Sequence, residues 1–280
     1  MNNPVLLTGL PRSGTTLAVK LLNDIPNVVA LNEPMPVREM AGLTQSELHN
    51  WIDQYTTKAV ALLLSEGKAQ TKHNGGDFID NSFNTTTDEQ GLRSSQVRRG
   101  LINITKQLNS EFTLAIKHNG AFAAAAHHLV DRYRCFAIIR NPLSVLLSWQ
   151  TVNIPVNRGR MPVAEAIDSS LSRSLDEISD TLGRQIYIVN WFFDRFSRYF
   201  DRDNILKYED IISTGGGCLN KIMPEATVAN NQLISRNTNE IYNKEMTNII
   251  AEKLISNGGS LRHFYDVASI RLIQSEINAL

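Results

Sequence analysis

Two cysteines in 280 residues, no long apolar run and no excess of either charge set the first limits on this chain. Cys135, in an apolar strand-like run, and Cys218, beside Gly215-Gly-Gly217, supply no disulfide framework; they read as small packed residues in a reducing compartment. No stretch approaches the roughly 20 apolar residues of a membrane-spanning helix. No basic segment precedes the first strand, which begins three residues after Met1. The expectation is a native start and a cytoplasmic protein with no membrane partner. Lys plus Arg and Asp plus Glu are both 28, and a net charge of zero argues against nucleic acid as a partner while leaving room for a local basic pocket. No Pro/Ser/Gly-rich linker, repeat or low-complexity segment divides the chain, so 1–280 is expected to be a single domain. His127 and His128 are helical neighbours that diverge by about 100°. Without a His-x-x-x-His or Cys-x-x-Cys pattern beside them, no metal is expected.

A lysine is also missing. The chain opens Pro4-Val-Leu-Leu-Thr-Gly9-Leu-Pro-Arg12-Ser-Gly14-Thr-Thr16 and runs directly into Leu17-Ala-Val-Lys-Leu-Leu22. An apolar run, two glycines spaced Gly9-x-x-x-x-Gly14, and two threonines before a helical pattern read as strand, tight loop and helix N-terminus. Such a loop aims backbone N–H groups and the positive end of a helix dipole at one point, and so suits a phosphate-like anion. The spacing is that of a nucleotide-binding P-loop, but Thr15 stands where G-x-x-x-x-G-K-[ST] has its lysine. That lysine reaches the β- and γ-phosphates of a nucleoside triphosphate, so its absence argues against ATP or GTP turnover. Arg12 is the cation the loop keeps.

The stretch Gly9-Leu-Pro-Arg-Ser-Gly-Thr-Thr16 resembles the 5′-phosphosulfate-binding loop of sulfotransferases, whose donor is 3′-phosphoadenosine 5′-phosphosulfate (PAPS). A second match lies in Arg134-Cys-Phe-Ala-Ile-Ile-Arg140-Asn-Pro-Leu-Ser144-Val-Leu-Leu-Ser148. Here an apolar strand ends at Arg140, Asn141 can cap and Pro142 opens a helix that carries Ser144 and Ser148 on one face. It is similar to the family's 3′-phosphate motif, an Arg at a strand end with a Ser eight positions later, met by Arg140 and Ser148. A guanidinium fork and a hydroxyl suit a phosphate monoester. Asn204 to Asp210 resembles the family's strand ending in Tyr-Glu-Asp, which implies Tyr208 near the adenine and a structural Glu209. The family's late Gly-x-x-Gly loop is not recognisable; Arg236, Lys244 and Arg262 are the basic residues that could substitute.

The resemblance implies an α/β fold, a central parallel sheet flanked by helices, and transfer of a sulfuryl group from PAPS to a hydroxyl or amine of a small-molecule acceptor by in-line displacement. The product nucleotide would be adenosine 3′,5′-bisphosphate, and no metal is required. The backbone amides of Ser13, Gly14, Thr15 and Thr16, with the hydroxyls of Thr15 and Thr16, would hold the phosphosulfate. Arg12 and Lys117 would neutralise its bridging and leaving oxygens. Val28 to Leu31 reads as a strand ending at Asn32-Glu33-Pro34, and tyrosyl-protein sulfotransferases carry a catalytic Glu at a similar distance after the loop, so Glu33 is the candidate base. Phe112 to Ile116 reads as a strand delivering Lys117-His118-Asn119. Cytosolic sulfotransferases separate such a Lys and His by one residue, whereas here they are adjacent and would point to opposite faces of a strand. Lys117 is therefore taken as the catalytic cation and His118 as the alternative base, with Asn119 a substitute at its place. A P-loop kinase acting on a small molecule and a non-catalytic nucleotide-binding protein remain as other readings.

Elsewhere, Thr44-Gln-Ser-Glu47 is a capping box that predicts a helix over 46–65. Residues 68–90 are polar and read as a mobile, acceptor-shaping loop with a solvated His73. Helices are expected over 121–130, with His127 and His128 on its outer faces, over 162–181, and over 184–200. Trp191, Phe192, Phe196 and Tyr199 on the last are core or adenine-side packing. Residues 211–280 form a C-terminal helical part with a helix over 239–255. Acceptor specificity is expected from 35–40, 68–90 and 151–160.

Overall fold

The computed structural model describes residues 3–224, 226 and 232–280, so the Met1 start lies outside the described residues. The strands are, in chain order, β1 (Val5–Gly9), β2 (Val28–Asn32), β3 (Lys68–His73), β4 (Arg98–Asn103), β5 (Thr113–Lys117), β6 (Arg134–Ile139) and β7 (Ile205–Lys207). Five of them form a parallel sheet of order β2-β5-β1-β6-β7. β1 is buried from end to end because helices cover both faces, which is why it reads as a nearly unbroken apolar run. Its alternation still sorts the core. Leu6 packs with Val29, Leu31 and Ile116 on one side; Val5 and Leu7 pack with Ala30, Ala115 and Ile138 on the other. The chain leaves β1 to one side for β2 and β5, then crosses to the other for β6 and β7. Strand order thus reverses at β1, and in open α/β sheets ligands bind in the crevice at that reversal, outside the carboxyl ends of the strands.

Helix α1 (Thr15–Asn23) returns from β1 and buries Ala18, Val19 and Leu22 against the Val5/Leu7 face. Helix α2 (Gln45–Glu66) opens with both halves of the capping box: Thr44 Oγ1 accepts the Glu47 N–H, and the Glu47 carboxylate accepts the Thr44 N–H. Trp149, Phe192, Phe193 and Phe196 fill the opposite face, fully buried. The helix Thr181–Tyr199, capped by Asp180, carries the aromatic group into this core, not into the cleft described below.

Several expectations are corrected. Residues 68–90 are not one loop: β3 pairs antiparallel with β4, and Thr71 Oγ1 accepts the Asn32 N–H of β2. His73 is buried, its Nδ1 accepting the Gly76 N–H. The alternation Lys68-Ala-Gln-Thr-Lys-His, with every second residue buried, was the overlooked strand signal. The helix expected over 162–181 breaks into Pro162–Ile167 and Ser169–Glu177, because Asp168 leaves the helix to cap the second piece and to bond Trp191 and Arg195. The helix expected over 121–130 also divides, into Asn119–Ala124 and Ala126–Leu129, and the His127 and His128 rings lie 3.8 Å apart instead of diverging. β7 stops at Lys207, and Tyr208 opens the helix Tyr208–Ser213. The helix expected over 239–255 starts at Lys244, where Asn243 caps it, and a further helix, Val267–Ala279, follows behind an Asp266 cap. Both cysteines are free. Among the described residues no helix is long and apolar enough to cross a membrane.

Candidate active site

Each strand of the parallel sheet delivers a residue to one cleft: the Gly9–Gly14 loop after β1, Glu33 after β2, Lys117 and His118 at the end of β5, Arg140 after β6 and Tyr208 after β7. The cavity is about 700 Å³. Its floor is the loop, and the close approaches there explain both glycines. A Cβ on Gly9 would meet the Ile138 carbonyl oxygen at 2.3 Å. Gly14 has φ 89, and a Cβ there would meet Tyr208 Cδ2 at 2.6 Å. No side chain caps α1, so its first amides are presented to the cleft. Thr16 lies beside Ser82, with 3.4 Å between hydroxyls, and Thr15 is buried at the helix start. Ser13, expected among the groups that hold the anion, shapes the loop instead: its hydroxyl donates to Ile138 O at 2.7 Å and its N–H to Leu10 O at 3.1 Å.

Four arginines gather at one end of the cleft. Arg12 donates through Nε to Ser148 Oγ (3.1 Å) and through Nη1 to Asn81 Oδ1 (2.9 Å), and stacks 4.7 Å from the Phe83 ring centre. Arg140 donates through Nε to Asn237 Oδ1 (2.8 Å), through Nη1 to the Arg12 carbonyl (2.8 Å) and through Nη2 to the Arg236 carbonyl, with Tyr208 4.6 Å beneath it. The loop and the Arg140/Ser148 motif, far apart in sequence, are thus bonded into one constellation. Arg93 joins it, held by Thr151 Oγ1 at 2.6 Å, and the Arg236 N–H donates to the Tyr208 hydroxyl at 2.9 Å. Glu209 supports the group as a structural residue. It accepts from the Asn141 N–H, the Asn237 amide and the Tyr265 hydroxyl, and so fixes the Asn237 that holds Arg140. Of the three late basic residues, Arg236 lines the cleft, while Lys244 bonds Asn278 O and Arg262 bonds Leu254 O and Ile255 O.

Among the described residues, none of Arg12, Arg93, Arg140 and Arg236 has a carboxylate partner. Burial, then the charges of Arg93 and Arg140, lower the Arg12 guanidinium to about 9. Arg93 is lowered as well, chiefly by burial. Crowded, desolvated cations of this kind are costly unless a multiply charged anion joins them.

The other end is built around a carboxylate. Glu33 Oε1 accepts from Lys117 Nζ at 2.9 Å, and Oε2 from Lys72 Nζ. Burial alone would raise the Glu33 carboxyl, but the charges of Lys117 and Lys72 outweigh it and hold the group far below its usual value. Lys117 is buried and lowered by desolvation, which Glu33 partly offsets. Arg12 (φ 72) and Glu33 (φ 49) are two of the three non-glycine residues with left-handed backbones among the described residues. Strain of this type persists where surrounding structure enforces it, commonly at functional sites.

The strand ends at Lys117, so both Lys117 and His118 line the cleft. His118 Nε2 accepts the Met35 N–H at 3.1 Å, which places the proton of the neutral ring on Nδ1. Burial, reinforced by Lys117, Arg99 and Lys72, lowers His118 to about 3. Asn119 Oδ1 is buried without a hydrogen-bond partner.

Lys72, Asn81, Phe83, Arg93, Arg99 and Asn237 were not found from sequence. One signal was present: Arg93, Ser95, Val97 and Arg99 line the cleft at every second position, the period of an extended chain. Lys72 and Asn81 reach the site through tertiary packing that leaves no local mark. Of residues 35–40 only Val37 lines the cleft, since Met35 and Met40 are core. Residues 68–90 contribute Lys72 and Asp80 to Phe83, and 151–160 contribute Ile154 to Val156. Among the described residues no group of three His, Cys, Asp or Glu is placed to hold a metal ion.

The fold is α/β, with a five-stranded parallel sheet flanked by helices and the Gly9–Gly14 loop, followed by an uncapped helix start, at the reversal of strand order. A sulfotransferase from Alicyclobacillus acidocaldarius is similar at 10% identity and a TM-score of 0.47, covering 97% of this chain and 99% of that one. A sulfotransferase from Mycobacterium tuberculosis is similar at 13% identity and a TM-score of 0.37, covering 100% of this chain and 77% of that one. No family profile and no curated protein matches the chain.

Proposed function

We propose that the cleft transfers a sulfuryl group from PAPS to a hydroxyl or amine of a small-molecule acceptor, leaving adenosine 3′,5′-bisphosphate. The observation that carries this is the cluster of four arginines, without a carboxylate partner among the described residues, that Arg12 and Arg140 tie to the loop before the uncapped helix. A ligand with anionic groups at two places fits such an arrangement better than a single phosphate. The amides at the start of α1, with Thr15 and Thr16, hold the phosphosulfate. Arg140, Ser148 and Arg236 hold the 3′-phosphate, and Arg12 lies between the two groups. Tyr208 supplies a ring face for the adenine side.

The donor supplies the sulfuryl group; the protein's residues place and discharge what surrounds it. Glu33 takes the acceptor's proton as the new oxygen–sulfur or nitrogen–sulfur bond forms and the bond to the bridging oxygen breaks. Clamped between two lysines, its carboxylate is a weak base. Lys117 exchanges Glu33 Oε1 for the oxygens of the transferring group, which frees that oxygen and raises its basicity while stabilising the leaving charge. In this reading Glu33 is preferred to His118, whose only lone pair on nitrogen receives the Met35 N–H. Incubation with PAPS and a panel of phenols, alcohols and amines, without added Mg²⁺, tests the reading. Stoichiometric release of the bisphosphate and a sulfated product is expected. Bound bisphosphate with no transfer to any acceptor would instead favour a non-catalytic nucleotide-binding protein.

A further inference from the structure

If the donor reading holds, the charges lining the cleft do not balance, and the surplus lies at the acceptor end. A nucleotide with a 3′-phosphate and a 5′-phosphosulfate carries about four negative charges. Seven Lys and Arg side chains line the cavity against two carboxylates, Glu33 and Asp80, in a chain whose overall net charge is zero. Five positive charges thus face about four on the donor. Arg12, Arg93, Arg140 and Arg236 sit at the donor end, and Lys72 and Lys117 both hold Glu33. Arg99 is left over. It forms no ion pair among the described residues and stands directly opposite Lys72 in the β3/β4 register. Like charges placed opposite one another across a strand pair destabilise it; Glu33 already offsets Lys72, while Arg99 has no carboxylate of its own among the described residues.

Two more observations place a ligand here. Asn119 lines the same cavity, and its Oδ1 is buried without a hydrogen-bond partner, so a ligand N–H or O–H reaching it on a small side-chain rotation would satisfy it. Val37, Val97 and Met161 supply apolar surface in the same cavity. The cavity must hold the donor and the reacting part of the acceptor together within about 700 Å³, which suits a small acceptor.

We propose that the acceptor carries its own carboxylate, bound by Arg99, and that Asn119 Oδ1 accepts a hydrogen bond from the same molecule while its apolar body lies on Val37, Val97 and Met161. This inference rests on the donor assignment above, and the test separates the two. Hydroxy acids of varied aromatic and aliphatic frame, each paired with its methyl ester, are titrated calorimetrically into protein saturated with the bisphosphate. At least one acid should bind about tenfold or more tightly than its ester, the scale of one charge-assisted bond. Arg99→Gln should erase that preference and Arg99→Lys restore part of it, with bisphosphate affinity unchanged in both. Asn119→Ala should weaken acid and ester alike. If no acid outbinds its ester, or if Arg99→Gln keeps the preference, the proposal falls. If the bisphosphate fails to bind the wild-type protein, the donor assignment falls, and the acid–ester comparison on the free protein still decides the role of Arg99.

Discussion

The two ends of the cleft use cations in opposite ways. At the end proposed for the donor, Arg12, Arg93 and Arg140 are fixed by neutral acceptors, the Ser148 and Thr151 hydroxyls, the Asn81 and Asn237 amides and backbone carbonyls, with no carboxylate among them. At the other end, proposed for the acceptor, two lysines converge on Glu33. Neutral partners orient a guanidinium without neutralising it, so its charge stays available to a ligand. A paired lysine does something else: it sets the basicity of its partner and can be drawn away. Under the proposed function, the first arrangement serves binding and the second serves proton transfer.

Breaking the two ends separately should give different signatures. Glu33→Gln is expected to lower kcat by about 10²- to 10⁴-fold while leaving bisphosphate affinity unchanged, the usual range for loss of a general base. Steady-state kinetics beside calorimetry would read both. Arg140→Met should do the reverse, weakening the bisphosphate by about 10- to 100-fold, as expected for lost charge-assisted bonds, with a smaller effect on adenosine 5′-monophosphate. Loss of kcat without loss of affinity in Arg140→Met would dissolve the distinction between the ends.

His118 sharpens the comparison with a pH profile. Its folded value of about 3 lies below the ordinary 6.5, so the folded state favours the neutral ring. Stability is then intact above about pH 6.5 and falls as pH drops toward 3, because the unfolded chain takes up the proton first. The loss is about 2 kcal/mol between pH 6.5 and 5, at about 1.4 kcal/mol per pH unit. His118→Gln, which keeps an acceptor for the Met35 N–H, should flatten that slope in urea denaturation and keep activity within about tenfold of wild type, short of the loss expected for a general base.

The donor side was more legible in sequence than the acceptor side, for a physical reason. Gly9 and Gly14 are tied to a strand end and to backbone approaches that only certain residues allow, so spacing along the chain reveals them, while Arg140 and Tyr208 came from the family resemblance at two further strand ends. Ser13 shows the limit of that reading: both its donors turn into the loop. Lys72 lies on β3, inside the 68–90 stretch that was read as loop because charged side chains hid its alternation, and Arg99 lies on β4, for which no element was expected. Arg93 reaches the donor cluster from the irregular stretch between those strands, through bonding to Thr151 that no local pattern encodes. Likewise, the helix expected over 162–181 is broken by the bonds of Asp168 to Trp191 and Arg195, residues distant in sequence.

The central claim is that the four arginines and the loop hold one nucleotide at two anionic groups. Calorimetric titration without Mg²⁺, comparing adenosine 3′,5′-bisphosphate with adenosine 5′-monophosphate, tests it most directly. The bisphosphate should bind at least about 100-fold more tightly, the scale of two charge-assisted contacts to the 3′-phosphate. Equal affinity for the two nucleotides would contradict the claim.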